Sequence, residues 1–202
     1  VLLLFSLQTV LFSETYYEKT LEQSGVFTVL QREKALEQVH TLVLFLRGRQ
    51  EPGSSFNERE RLHMEDVRGL VRLSERLLAF LFVVCVAWLL CSSRKLELLR
   101  RASLFTLVVV GVGGLIVLLS FSSSFLIFHQ LSFTNDLWML DPATDRLIVL
   151  FPETFFSTAL TDIVLRTLGM AAAVFLACSL RLRTRVCVSR RSSHGSHRRA
   201  GF

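Results

Sequence analysis

Two histidines are the residues of this chain best placed to do chemistry. His63 sits in Leu62-His63-Met64-Glu65-Asp66-Val67, and His129 opens the aromatic, turn-rich stretch from Phe128 to Phe156. Asp66 follows His63 by three residues, which puts both on one helical face, where a carboxylate could orient an imidazole and fix its tautomer. Asn135 and Asp136 could serve His129 in the same way. Two oriented imidazoles supply a base and an acid for proton transfer. The same groups could ligate a metal, but the chain has no His-Glu-x-x-His run and no paired cysteine motif, so no metal site is assigned. The plain alternative is a pair of interfacial histidines satisfied by backbone and water. Asp162 and Arg166, one turn apart in an apolar run, are a second candidate, because an ionisable pair in a membrane span is costly. The bland reading of that pair is an ion pair that locks helix packing. Trp138 and Trp88 read equally as interfacial anchors or core residues.

The elements that must position these groups are membrane helices. Of 202 residues, 51% are hydrophobic, and the mean hydropathy is +0.47. Apolar runs of about 20 residues alternate with charged segments, the signature of spanning helices. The fold class expected is an all-α membrane protein of four transmembrane helices, with a mainly helical extracytoplasmic domain and a short hairpin-like cap. Residues 1–12 read as the distal end of a first span whose start precedes Val1, the alternative being a signal-peptide remnant. Residues 13–76 form the outer domain, with Gly25 and Pro52-Gly53-Ser54-Ser55 as breaks and Ser55 or Asn57 as a helix cap. His40, in that domain, reads as a surface or packing histidine. Residues 77–92 are the second span and 93–103 a basic cytoplasmic loop. Residues 104–128 are the third span, with Gly111, Gly113 and Gly114 allowing close helix approach and Ser120 to Ser124 facing the bundle or a wet cavity. Residues 129–154 form the cap, with Leu137–Leu140 and Leu147–Phe151 as candidate paired strands. Residues 155–180 are the fourth span and 181–202 a basic cytoplasmic tail containing Cys187, His194 and His197, with disorder expected from Ser189 to Phe202.

The formal charge of +6 is concentrated beside the spans. Basic residues at Arg94, Lys95, Arg100, Arg101, Arg181, Arg183 and Arg185 therefore mark the cytoplasmic side and not a nucleic-acid surface. The outer segments contain no cysteine, so no disulfide framework is expected, and Cys85, Cys91 and Cys178 read as packing residues. This topology puts His63 and His129 on the same membrane face. It also raises a problem of depth. In one straight helix His63 would stand about 21 Å above Leu77. A shared site then needs either a break near Gly69 or a third span that rises to meet His63.

The His63-Met64-x-Asp66-Val67 run resembles a motif of the bacterial lipoprotein intramolecular transacylase family. Phe128-His129, Phe133-Thr134-Asn135-Asp136-Leu137-Trp138 and Leu140-Asp141-Pro142 resemble that family's second motif, continuing through Thr144-Asp145, Leu147-Ile148 and Phe151-Pro152-Glu153 to Phe155-Phe156. The resemblance covers about Leu62 to Leu180, and Ser13 to Asn57 match nothing in it. It implies a multi-pass enzyme of the bacterial cytoplasmic (inner) membrane with its active site at the outer leaflet. Its substrate would be a diacylated lipoprotein, with membrane lipid around it. Such an enzyme moves the sn-2 acyl chain of the diacylglyceryl group onto the α-amine of the modified cysteine, leaving a lyso-form lipoprotein. The family's two essential histidines would be His63 and His129.

Aminolysis of an ester needs a deprotonated amine, a stabilised oxyanion and a protonated leaving alkoxide. Because both reactants belong to one lipid-modified terminus, orientation and proton transfer suffice. That agrees with the lack of a Gly-x-Ser-x-Gly elbow. No cofactor is implied. Asn135 or Arg166 could donate to the oxyanion. The competing functions are a non-catalytic membrane scaffold or transport accessory, and a metal-dependent membrane hydrolase.

Overall fold

The computed structural model describes the backbone of residues 1–197 and the side chains of residues 1–184. Within them lie eight α-helices and no strand: α1 (Leu2–Leu11), α2 (Glu14–Gln23), α3 (Arg32–Leu46), α4 (Glu58–Cys91), α5 (Lys95–Leu119), α6 (Phe121–Ser132), α7 (Arg146–Leu150) and α8 (Glu153–His197). Three are long and apolar enough to cross a membrane: α4, α5 and the described part of α8. The shorter apolar α1 packs against α8 and α4. Its polar residues face inward. Buried Ser6 and Thr167 share a 2.9 Å hydroxyl contact, and the Gln8 amide donates to Ser74 at 2.8 Å. In a lipid-facing bundle such pairs tie helices that the hydrophobic effect cannot.

The close approach expected of the glycines occurs at one of them. A Cβ on Gly114 would lie 2.9 Å from Val164 Cγ2 of α8, whereas one on Gly113 would meet nothing within 4 Å. Only a residue without a side chain lets α5 and α8 pack at this point. Gly114→Leu is therefore expected to destabilise the bundle by about 1–3 kcal/mol, and Gly113→Leu to leave it unchanged. Differential scanning fluorimetry of the two purified variants in one detergent checks this; equal melting temperatures would refute it.

α4 runs unbroken from the segment that packs with α3 through the apolar stretch. Asn57 caps it with a full capping box, its side chain accepting from Glu60 N–H at 2.9 Å while the Glu60 carboxylate accepts from Asn57 N–H at 2.7 Å. There is no break at Gly69, so the boundary expected at 76/77 is not a structural one. The rise comes from α5 and α6 instead. α5 ends at Leu119, Ser120 leaves helical geometry at φ −126° and ψ 45°, and α6 continues outward to Ser132. The serines make the bend. Ser120 Oγ donates to the Ile116 carbonyl at 2.9 Å, and Ser122 donates to Glu153 at the start of α8.

Other expectations are corrected in detail. Most of the loop expected over 93–103 is helix, because α5 starts at Lys95 and Glu97 pairs with Arg100 and Arg101 at 3.0 and 2.7 Å. α8 starts at Glu153 and its helix passes Leu180 as far as His197, where a disordered tail was expected. The side chains of Cys187, His194 and His197 lie outside the described residues. The cap is not a hairpin. Leu137–Leu140 form turns, with Leu140 N–H donating to the Trp138 carbonyl at 3.0 Å. Residues 146–150 are the helix α7, burying Leu147 and Leu150 at helical spacing, with Phe151 beside them. The backbone donors that a strand would share with a partner are taken locally or by α4.

Together with α2, α3 and the outer part of α4, the cap closes an apolar core around Leu21, Val43, Phe45, Met64, Leu150 and Phe155. Two carboxylates seat it. Glu60, 1% exposed, accepts from Leu147 N–H at 2.5 Å, and Asp145 accepts from the Asn57 amide at 2.7 Å. Asp145 also accepts from Asp141 N–H at 2.7 Å, the main reason its carboxyl is held below the usual range.

Candidate active site

The two histidines meet. His63 projects from the outer part of α4 and His129 from the last turn of α6, with ring centroids 6.2 Å apart. They are 6% and 9% exposed. The apolar stretch of α4 that can lie in a membrane begins near Leu77, so His63 stands several turns outside it. α6 lifts His129 to that height.

Aromatic rings wall the pair. Phe133 lies 5.1 Å from His63 and 5.6 Å from His129, centroid to centroid. Phe125, one turn before His129, lies 4.3 Å from its ring, and Trp138 of the cap 5.2 Å. This aromatic box carries two chemical consequences. His129 Nδ1 donates to the Phe125 carbonyl at 2.7 Å, which leaves Nε2 with the lone pair free to take a proton. His63 Nδ1 is buried and has no hydrogen-bond partner. Such an orphan typically costs about 1–3 kcal/mol, a cost tolerated where a bound molecule supplies the missing partner.

Burial first, and then the neighbouring His129, push His63 from the ordinary 6.5 down to about 4, against the opposing pull of the Asp66 carboxylate. His63 is therefore a neutral imidazole at neutral pH. A carbon-13 NMR titration of histidine-labelled protein, with His63 assigned by its loss in His63→Asn, is expected to give a midpoint near pH 4. A midpoint near 6.5 would show that the ring is not desolvated.

The orienting partners differ from those expected. Asp66 makes no hydrogen bond to His63; its Oδ2 accepts from the Asn135 amide at 2.9 Å, tying the cap to α4. Asn135 Oδ1 in turn accepts from Leu137 N–H at 3.1 Å, and the Asp136 carbonyl accepts from Arg59 at 2.6 Å. Neither residue orients His129, because the Phe125 carbonyl already holds it. Asp162 and Arg166 do not pair with each other. The Arg166 guanidinium lies 5.8 Å from the ring centroid of Tyr16 on α2, and neither residue hydrogen-bonds to a histidine. Trp138 stands against the site; Trp88 is 64% exposed on α4.

Phe133 belongs to the aromatic stretch expected around His129, whereas Phe125 and Glu60 were not anticipated. The Phe125/His129 spacing of one helical turn and the Asn57-x-x-Glu60 capping box were the available signals. Among the described residues, no group of three or more His, Cys, Asp or Glu side chains converges as a metal site.

A membrane-type helical bundle, capped at one end over a buried histidine pair, defines the class: an integral-membrane protein with two histidine rings brought together at one end of its bundle. The family model described as lipoprotein intramolecular transacylase Lit matches residues 1–156. The chain belongs to the lipoprotein intramolecular transacylase family. Among solved structures, the membrane integral Lit from Bacillus cereus is similar, with a TM-score of 0.79 and 20% identity over 94% of this chain and 91% of that one. A variant of that protein with a histidine-to-arginine substitution matches with a TM-score of 0.77 and 19% identity, covering 93% of this chain and 88% of that one. A histidine-to-alanine variant gives 0.77 and 19%, over 92% and 89%. At these identities the likeness establishes the fold. Comparison with curated proteins gave no match.

Proposed function

We propose that this chain moves the sn-2 acyl chain of a diacylglyceryl-modified lipoprotein onto the α-amine of the same N-terminal cysteine, with His63 and His129 as the acid–base pair. The observation that supports this most is their convergence, from two helices far apart in sequence, in a chain of this family. The α-amine attacks the sn-2 ester carbonyl, an N–C bond forms, and an imidazole takes the proton released from nitrogen. The C–O bond to glycerol then breaks, and the alkoxide receives a proton from an imidazolium. The products are an amide and a free sn-2 hydroxyl. His129 suits proton acceptance, since the Phe125 carbonyl fixes its tautomer and steadies the imidazolium once formed. His63 is neutral, and its buried Nδ1 has no partner within the protein, which leaves it for the substrate to supply one.

Trp138 and Phe133 exclude water, while Asp66 and Asn135 hold the cap over the pair. Holding amine and ester together in one molecule supplies much of the rate, because effective molarities of about 10⁵–10⁸ M are reached by well-oriented groups. No cofactor enters this scheme. Asp162 and Arg166 belong to the α2–α8 contact in this reading, not to the chemistry.

The protein would lie in the bacterial cytoplasmic membrane with four spans, α1 belonging to the first, and with the histidines at the outer leaflet. The basic residues around α5 and beyond Leu180 fit a cytoplasmic placement of the opposite ends. The experiment is mass spectrometry of one lipoprotein's N-terminal peptide from cells with and without this protein. An N-acyl group together with one free glyceryl hydroxyl, seen only when the protein is present, is the expected result. Identical peptides in both strains would overturn the proposal.

A further inference from the structure

We infer that a groove between the start of α4 and the cap binds the polypeptide that follows the lipidated cysteine; this rests on the transacylase reading. The groove has a volume of about 560 Å³ and is lined by Asn57, Glu58, Arg59, Leu62 and Leu137. Both of its walls adjoin the histidine site along the chain. Leu62 precedes His63 on α4, and Leu137 precedes Trp138, whose ring lies 5.2 Å from His129. The walls are joined at the base, where Arg59 donates to the Asp136 carbonyl at 2.6 Å.

Depth identifies the occupant. Leu62 stands about 22 Å along α4 from Leu77, where the apolar stretch begins. The α4 residues of the lining, Asn57 to Leu62, all lie on the far side of His63 from that apolar stretch, towards which acyl chains would run, so a chain entering here from the histidines must tolerate water. The modified cysteine offers one such chain: its own polypeptide, which has to leave the site away from the membrane.

The lining also states a preference. Leu62 is 43% exposed and gives the groove an apolar wall. Glu58 is exposed, is the only carboxylate in the lining, and has no ion-pair partner among the described residues. Arg59, the one cation there, is engaged with the cap. Peptides with lysine just after the cysteine are thus favoured over peptides with glutamate.

The test uses the full chain in nanodiscs at low ionic strength with three synthetic substrates. These are a diacylglyceryl-cysteine amide and two diacylated lipopeptides, whose cysteine is followed by Ser-Lys-Lys or Ser-Glu-Glu. The expected preference of wild type for lysine is about fivefold in kcat/KM, the scale of an exposed ion pair. Glu58→Lys should reverse it. Leu62→Trp, which fills the groove, should lower the ratio of long-peptide to cysteine-amide kcat/KM by about tenfold, chiefly through KM. Unchanged selectivity in Glu58→Lys together with an unchanged ratio in Leu62→Trp, at intact turnover, would overturn the groove assignment and leave the transacylase reading standing. No N-acylated product from any substrate with wild type would overturn both.

Discussion

Replacing His63 or His129 with alanine is expected to slow formation of N-acylated lyso-lipopeptide by about 10²–10⁴-fold, the usual contribution of a positioned acid or base. Folding should survive either change. His63 Nδ1 has no protein partner to lose, and His129 gives up one bond, to the carbonyl of its own helix one turn away. The two changes should not add. If both rings serve one proton path, the double variant should be scarcely slower than the worse single one, as for residues that act as a unit. Turnover of a synthetic diacylated lipopeptide by detergent-purified variants, with melting temperatures recorded alongside, checks this. Near-wild-type turnover in either single variant would remove that histidine from the chemistry.

The second large effect is on stability and lies outside the aromatic box. Glu60→Ala is expected to destabilise the domain formed with α2 and α3 by about 2–5 kcal/mol, because it strands the buried N–H of Leu147 and removes the capping bond to Asn57 N–H. The loss of the capping box lies within that figure. Since Glu60 seats α7, the cap that carries Phe133 and Trp138 should loosen, and activity should fall with stability. Glu60→Gln retains an acceptor oxygen and should recover part of both. Hydrogen exchange followed by mass spectrometry localises the effect. Faster exchange across 133–151 with protected α5 is the expected pattern, and uniform exchange like wild type would contradict it.

Much of this organisation can be read from residue types, but not all of it by the same physics. The spans announce themselves through apolar length, and α4, α5 and α8 contain the expected stretches. Asn57 was legible as a cap because the Asn-x-x-Glu spacing is a local signal. The cap was misread because Leu147, Leu150 and Phe151 form a run too short to distinguish alternation from helical spacing. What decides it is a distant carboxylate, Glu60, which supplies the acceptor for Leu147 N–H. Distance also explains the errors at the site. The pairing of His63 with His129 followed from topology, but their height depended on a bend at Ser120 that composition does not specify. Asp66 was placed on the right helical face, yet it bonds Asn135 across the cap. His129 found its acceptor in the Phe125 carbonyl, a backbone group that no motif displays. Asp162 and Arg166 had the spacing of an ion pair, but Tyr16 of α2 approaches Arg166 in its place.

In the proposed reaction both reacting groups belong to one molecule, and the two histidines only orient them and move a proton. Isotope labelling tests it most directly. A lipopeptide carrying a deuterated chain at sn-2 and an unlabelled chain at sn-1 is presented to the purified protein in nanodiscs of unlabelled phospholipid. Fragment-ion mass spectrometry then locates the label. The expected product has a fully deuterated N-acyl group and a lyso-glyceryl moiety that retains the unlabelled sn-1 chain. An unlabelled N-acyl group, drawn from the surrounding lipid or from sn-1, would contradict it.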